Sequence, residues 1–258
     1  MRNLVARYPI LFAVVAILVY DLGMNALAAV LRGMGLPQLG VSLIAQAACC
    51  VFVAALLGYL GWWRGAGFTH RVTGRAVLAY SPWLLLPLLM VVGSSASTLN
   101  ASRVAAFILF TLMVGFAEEG LLRGVVLRAL LPRGAVRAAV VSSLLFGIAH
   151  LSNMAQGRDP TATIVQAIYA TFIGIGFAGP RLYTGTIWPA IVLHAMIDFA
   201  DFASRNFAPQ TEAATPTPGQ AILVIAITGA YALYGWWLLR RHRRAWGARQ
   251  DPPGAALF

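Results

Sequence analysis

Long apolar runs separated by short polar breaks dominate this chain. They fall at roughly 9–31, 40–63, 76–93, 103–122, 136–152, 161–179, 184–203 and 219–240. A helix needs about 20 mainly apolar residues to cross the hydrocarbon core of a bilayer. The pattern therefore predicts an all-α, polytopic membrane fold of about eight transmembrane helices. The breaks carry turn-forming residues, as in GMGLPQLG at 33–40, GSSASTLNAS at 93–102 and TEAATPTPG at 211–219. None is long enough for a soluble module, so residues 1–258 read as one integral membrane domain ending in a basic cytoplasmic tail at 241–258. The first run, after MRNLVAR, has the shape of a cleavable leader. Asp21 interrupts it and further runs follow, so it reads as an uncleaved first helix.

Composition agrees with this pattern. Hydrophobic residues make up 60% of the chain and charged residues 10%, with a mean hydropathy of +0.77, far from soluble averages. The net charge of +11 comes entirely from arginine, because the 19 basic residues include no lysine. Such a balance can mark a nucleic-acid binder, but here the arginines cluster at the ends of apolar runs, so no nucleic-acid partner is expected. With the N-terminus inside, the inner segments hold Arg2, Arg7, Arg64, Arg71, Arg75, Arg128, Arg133, Arg137, Arg181 and the five arginines from Arg240 onward. The outer segments hold Arg32, Arg103, Arg158 and Arg205. The positive-inside rule then places both termini in the cytoplasm. Arginine in place of lysine, in an Ala- and Gly-rich chain, suggests a bacterial cytoplasmic (inner) membrane protein. Cys49 and Cys50 are adjacent on one helix, a spacing that suits neither a disulfide nor a metal, and read as packing residues.

A few ionisable groups fall inside the runs: Asp21, Glu118, Glu119, Arg123, His150, His194, Asp198 and Asp201. A charged side chain at the bilayer centre costs about 2.5–3.5 kcal/mol even on insertion scales, so such groups face a protein interior or a water cavity and have a functional role by default. Glu119 and Arg123 stand at i and i+4 with the acid N-terminal, the better order for an ion pair on a helix. Glu118 points to another face and has no local partner. His194, Asp198 and Asp201 form one stripe. The histidines on two other helices are natural partners for Glu118. Glu118, His150 and His194 could hold one divalent metal, a zinc with an open position. Without a metal, Glu118 could act as general base on a water. Asp21, Asn25, Gln46 and Gln166 read as interhelical hydrogen-bonding groups, Asp201 as interfacial, and His70 and His242 as solvated or headgroup-facing.

Three of these clusters form a recognisable series: EEGLLR at 118–123, FGIAH at 146–150 and HAMID at 194–198. The series resembles the EExxxR, FxxxH and HxxxN/D motifs of the CAAX prenyl protease and bacteriocin-processing (CPBP, ABI) family of intramembrane proteases, relatives of the type II CAAX endopeptidase. The resemblance covers roughly 103–203, which it marks as the catalytic core. It implies an intramembrane endopeptidase acting on membrane-associated or prenylated peptides. Glu118 would serve as base or ligand, Glu119 and Arg123 as supporting pair, and His150, His194 and Asp198 would complete the site. Asp198 stands where the prenyl-protein enzymes carry Asn. The rival readings are a proton- or cation-coupled transporter and a non-catalytic scaffold or immunity protein of the same fold. Because EEGLLR leads into the segment holding Arg128, Arg133 and Arg137, the site is expected to open toward the cytoplasmic side.

Overall fold

The computed structural model describes residues 2–92, 100–205 and 215–247. Among them every regular element is helical: α1 (Arg2–Arg7), α2 (Pro9–Gly33), α3 (Gln38–Leu60), α4 (Gly74–Tyr80), α5 (Leu85–Val92), α6 (Ala101–Glu119), α7 (Leu127–Leu130), α8 (Ala135–Ala149), α9 (Pro160–Thr184), α10 (Trp188–Ser204) and α11 (Pro218–Gly247). A 3₁₀ turn at Ser81–Leu84 joins α4 to α5, another at Leu131–Arg133 follows α7, and a third, His150–Gln156, continues α8. Residues 93–99 and 211–214 of two expected breaks lie outside the described residues.

Six helical segments are long and apolar enough to cross a membrane: Pro9–Gly33, Gln38–Leu60, Ala101–Arg133, Ala135–Gln156, Pro160–Thr184 and Pro218–Arg241. This is a multi-pass membrane protein. The two other expected spans are shorter. The α4–α5 segment is interrupted at Ser81–Leu84, where Pro82 leaves the backbone without one donor. Helix α10 has only 17 residues and carries two aspartates. At the other extreme, α11 extends to Gly247, so the first residues of the expected tail continue a helix. Large side chains such as Leu11, Leu22, Val51, Leu78 and Leu233 are 61–73% exposed. Apolar surface of this extent suits lipid, where it needs no cover.

Between apolar helices in lipid the hydrophobic effect supplies no attraction, so close backbone packing and interhelical hydrogen bonds hold the bundle. Helices α9 and α11 meet through glycines: a Cβ on Gly179 would lie 2.1 Å from the Gly235 carbonyl oxygen. Beside this contact Trp83, fully buried, stacks on Tyr231 with ring centroids 4.1 Å apart. Tyr231 and Tyr234 donate to the carbonyls of Pro82 (2.9 Å) and Ala79 (3.0 Å), tying α11 to the α4 region. On the other side of α9, Gly147 of α8 leaves room for Thr171. Helices α6 and α10 pack through Gly115, where a Cβ would lie 2.5 Å from the Ile191 carbonyl.

The contacts distinguish the two ends of the bundle. Helix α3 ends at Gly61, in the left-handed region at φ 67°, with Trp62 donating to Leu57. The chain from there to Thr73 folds back onto the ends of α7 and α9 and the start of α10.

Overpacking a tight helix contact costs about 1–3 kcal/mol. Gly179→Val should lower the melting temperature in detergent, while Gly23→Ala, where an added Cβ meets nothing within 4 Å, should not. A thermal-shift comparison of the two variants checks this.

Candidate active site

Helix α6 brings in the first acids. Past Glu119 the helix widens into a π-helical turn over Gly120–Val126, closed by Leu127 N–H donating to the Leu122 carbonyl, an i→i+5 bond. Such turns are rare and often sit at functional sites. Here one begins directly after the acids and carries Arg123 within it.

Arg123 is 1% exposed and Glu119 is fully buried. Arg123 Nη1 lies 3.1 Å from Glu119 Oε1, as the i, i+4 spacing predicts. The guanidinium also sits 4.4 Å from the centre of the Phe146 ring, a cation–π contact. Behind it α9 presents Gly174. A Cβ there would lie 3.0 Å from Arg123 Nη2 and 2.6 Å from the Ser143 Cβ. The sequence reading missed Gly174, although the small-residue run GIGFAG at 174–179 marks the face on which α9 can take a neighbour closely.

Glu119 also reaches across to α10. His194 Nδ1 lies 2.8 Å from the same Glu119 oxygen that meets Arg123. A carboxylate paired with Arg123 only accepts, so Nδ1 carries the hydrogen and donates it. The other ring nitrogen, Nε2, is then turned toward Glu118 Oε2 at 3.6 Å and Asp198 Oδ2 at 3.5 Å. Five of the expected residues, Glu118, Glu119, Arg123, His194 and Asp198, are therefore joined by direct contacts. Their charges are unequal: three carboxylates against one guanidinium and one imidazole.

His150 joins them less directly. Its Nδ1–H donates to the Phe146 carbonyl at 2.8 Å, within its own turn. Its ring meets the Phe146 ring edge-on at 4.7 Å, and His194 meets the same ring at 6.1 Å. One phenylalanine thus separates the two histidines and also carries the arginine.

The residues do not fit the expected zinc. Among the described residues no three His, Cys, Asp or Glu side chains are disposed to hold a metal ion, so Glu118, His150 and His194 are not assembled as a ligand set. The physical reason is that His194 gives one ring nitrogen to Glu119 and turns the other toward Glu118 and Asp198, while His150 Nδ1 bonds to its own backbone turn.

The N-terminal helices add polar groups beside the site. Gln46, 4% exposed, donates to the Tyr20 hydroxyl at 3.4 Å and to the Met113 carbonyl at 3.3 Å. Asp21 Oδ1 accepts from Ser152 Oγ at 3.1 Å, linking α2 to the turn after His150. Gln166 accepts from Asn153 at 2.9 Å. Asp201 pairs with Arg205 on its own helix. Cys50 donates weakly to the Met113 carbonyl at 3.3 Å.

With this geometry in view, the comparison with known families becomes informative. The family model described as type II CAAX prenyl endopeptidase Rce1-like matches residues 100–200. Over this segment the chain is similar to the Rce1-like family. The match runs from the start of α6 to within α10 and so contains all three motifs. The matched segment leaves out α11 and also α2 and α3, whose side chains Tyr20, Asp21 and Gln46 nevertheless border the site. No curated protein matches the chain.

Breaking a buried ion pair by removing one partner costs about 3–5 kcal/mol, whereas replacing both by apolar groups is often neutral. Arg123→Met alone should destabilise the protein by that order, and Glu119→Leu with Arg123→Met should recover most of the loss. The double variant should stay inactive because His194 then lacks its acceptor. Thermal unfolding beside a cleavage assay separates the two effects.

Proposed function

We propose that this protein is an intramembrane endopeptidase of the CPBP type, in which Glu118 activates a water for attack on a peptide bond. The observation that carries the reading is the orientation of His194: with Nδ1–H fixed on buried Glu119, its Nε2 faces both Glu118 and Asp198.

Glu118 takes a proton from the water as its oxygen adds to the scissile carbonyl carbon. Nε2 of His194, when protonated, donates to the oxyanion that forms, and His150, whose Nδ1–H is held by the Phe146 carbonyl, adds a second donor at Nε2 only in its own protonated form. The tetrahedral species then collapses: the C–N bond breaks, and the proton held by Glu118 passes to the leaving amine. Asp198 lies within reach of Nε2 and steadies its charged form. Glu119 and Arg123 touch no substrate in this scheme. They fix the tautomer and direction of the imidazole, so the catalytic geometry depends on a pair set into the bundle interior.

The route uses side chains alone, with no metal ion as cofactor. The match of residues 100–200 to the Rce1-like type II CAAX prenyl endopeptidase model supports hydrolysis of peptide bonds, and lipidated or membrane-associated peptides are the substrate class we assign. The membrane is the bacterial cytoplasmic membrane, with the arginine-rich end of the bundle inside.

General acid–base groups contribute about 10²–10⁴-fold in rate. Glu118→Gln and His194→Ala should each lower cleavage of a lipidated or transmembrane peptide by that order in purified protein. Wild-type-like cleavage by both variants would sink the proposal. A separate outcome concerns the metal: cleavage should survive chelation, and elemental analysis of active protein should find no stoichiometric zinc. Loss of activity on chelation, restored by zinc, would overturn the side-chain route.

A further inference from the structure

The two ends of the bundle differ in a way that bears on how a substrate arrives. From Glu119 toward the arginine-rich end, every residue of Gly120–Val126 is buried. The segment between α3 and α4 packs against this stretch: Ala66 is fully buried and Phe68 is 8% exposed. An added Cβ on Gly120 would meet Val53 and Phe68, and one on Gly124 would meet Ala66, Ile187 and Phe68. This segment is a plug, and it is anchored at several points. Arg181, 5% exposed, donates to the carbonyls of Gly65 (2.8 Å), Ala66 (3.2 Å) and Gly185 (3.0 Å). Ile187 N–H donates to the Gly67 carbonyl and Trp188 Nε1 to the Phe68 carbonyl. Gly67 adopts φ 89°, and a Cβ there would lie 2.6 Å from the Gly185 carbonyl oxygen, so only glycine passes this close.

The plugged end is also where the arginines meet. Arg133 donates to the Arg7 carbonyl, Arg75 lies over Tyr183, and the Arg128 guanidinium lies over Trp62 beside Gly65. Contacts between distant parts of the chain thus gather onto one end the residues that the positive-inside rule assigns to the cytoplasm.

Among the described residues the opposite end is more exposed and more polar. The Glu118 side chain is 23% exposed and that of Asp198 is 29% exposed, in a site whose Glu119 and Arg123 have no exposure. Asp21, Ser152, Asn153 and Asp201 are all half-buried, where their counterparts toward the plug are buried and mostly apolar. Side chains of this kind in a membrane protein line a water-filled cavity.

The geometry points to a vestibule that admits substrate from the exoplasmic face, the side away from the arginines. This inference rests on the endopeptidase reading for its substrate. The class it names is an extended polypeptide segment presented on the exoplasmic side of the membrane, in place of a lipidated C-terminus arriving from the cytoplasm. It also reverses the direction expected from the sequence, because the path from Glu118 past Arg123 to Arg128 is packed shut.

Cysteine accessibility tests the route independently of catalysis. In a background with Cys49→Ala and Cys50→Ala, Ser152→Cys reports on the vestibule, Ala155→Cys on its exposed rim and Arg71→Cys on the plugged end. A charged, membrane-impermeant thiol reagent added to right-side-out vesicles should label Ser152→Cys and Ala155→Cys and leave Arg71→Cys unlabelled; inverted vesicles should reverse the pattern. Labelling of Ser152→Cys in inverted vesicles alone would overturn the inference. So would its failure to react in either orientation while Ala155→Cys reacts, since the vestibule would then hold no water. An impermeant fluorogenic peptide added outside right-side-out vesicles should be cleaved by the wild type and spared by Glu118→Gln. Cleavage in inverted vesicles alone also overturns the route. Absence of cleavage in both orientations overturns the endopeptidase reading and leaves the route to stand or fall on the labelling.

Discussion

A fully buried arginine organises this protein. A guanidinium in the interior of a membrane protein is tolerable only where a carboxylate, an aromatic face and close-fitting backbone surround it. Glu119 supplies the carboxylate from one turn away, Phe146 supplies the ring from α8, and Gly174 leaves the space on α9. Three helices are thereby fixed around one charge. The same Glu119 oxygen accepts from His194, which brings in α10. The groups assigned to chemistry thus take their positions from a pair that the chemistry does not consume, and damage to that pair reaches the fold and the site together.

The packing around this centre follows from the solvent. In lipid the outward leucines and valines have nothing to gain by burial, so α9 is held by backbone approach at Gly174 and Gly179, and α8 by the same means at Gly147. Aromatic stacking among Trp83, Phe177 and Tyr231 fills the gap that the short α4–α5 segment leaves. The π-helical turn at Gly120–Val126 belongs to the same economy. It lies where Gly120 and Gly124 let the plug segment approach α6 on the face away from the site.

Polarity is distributed just as unevenly along the bundle. Toward the plug the interior is mostly apolar, and the plug is held by the backbone carbonyls of Gly65 and Ala66, which accept from Arg181. Toward the other end Ser152 bonds to Asp21 and Asn153 to Gln166, polar links between neighbouring helices. Arginines dominate one end and the exposed carboxylates lie toward the other, so the two ends of the bundle differ in a way that neither motif nor hydropathy encodes alone.

Much of this was legible in the residues. Runs of apolar sequence located the starts of the helices to within a few positions, though two of the eight runs form helices too short to cross a membrane, and the scarcity of charge in those runs made Glu118, Glu119, Arg123, His194 and Asp198 conspicuous. Spacing gave the Glu119–Arg123 pair, since i and i+4 meet on any helix. Contacts across the bundle were not available to such reasoning. That Glu119 would accept from His194, that His150 would bond to its own turn and no metal trio would assemble, and that Gly174 would make room for Arg123 all depend on how helices distant in sequence lie against one another. The covered end was decided the same way: the sequence shows where the arginines are, but only packing determines that the segment between α3 and α4 folds back over the end on which they gather.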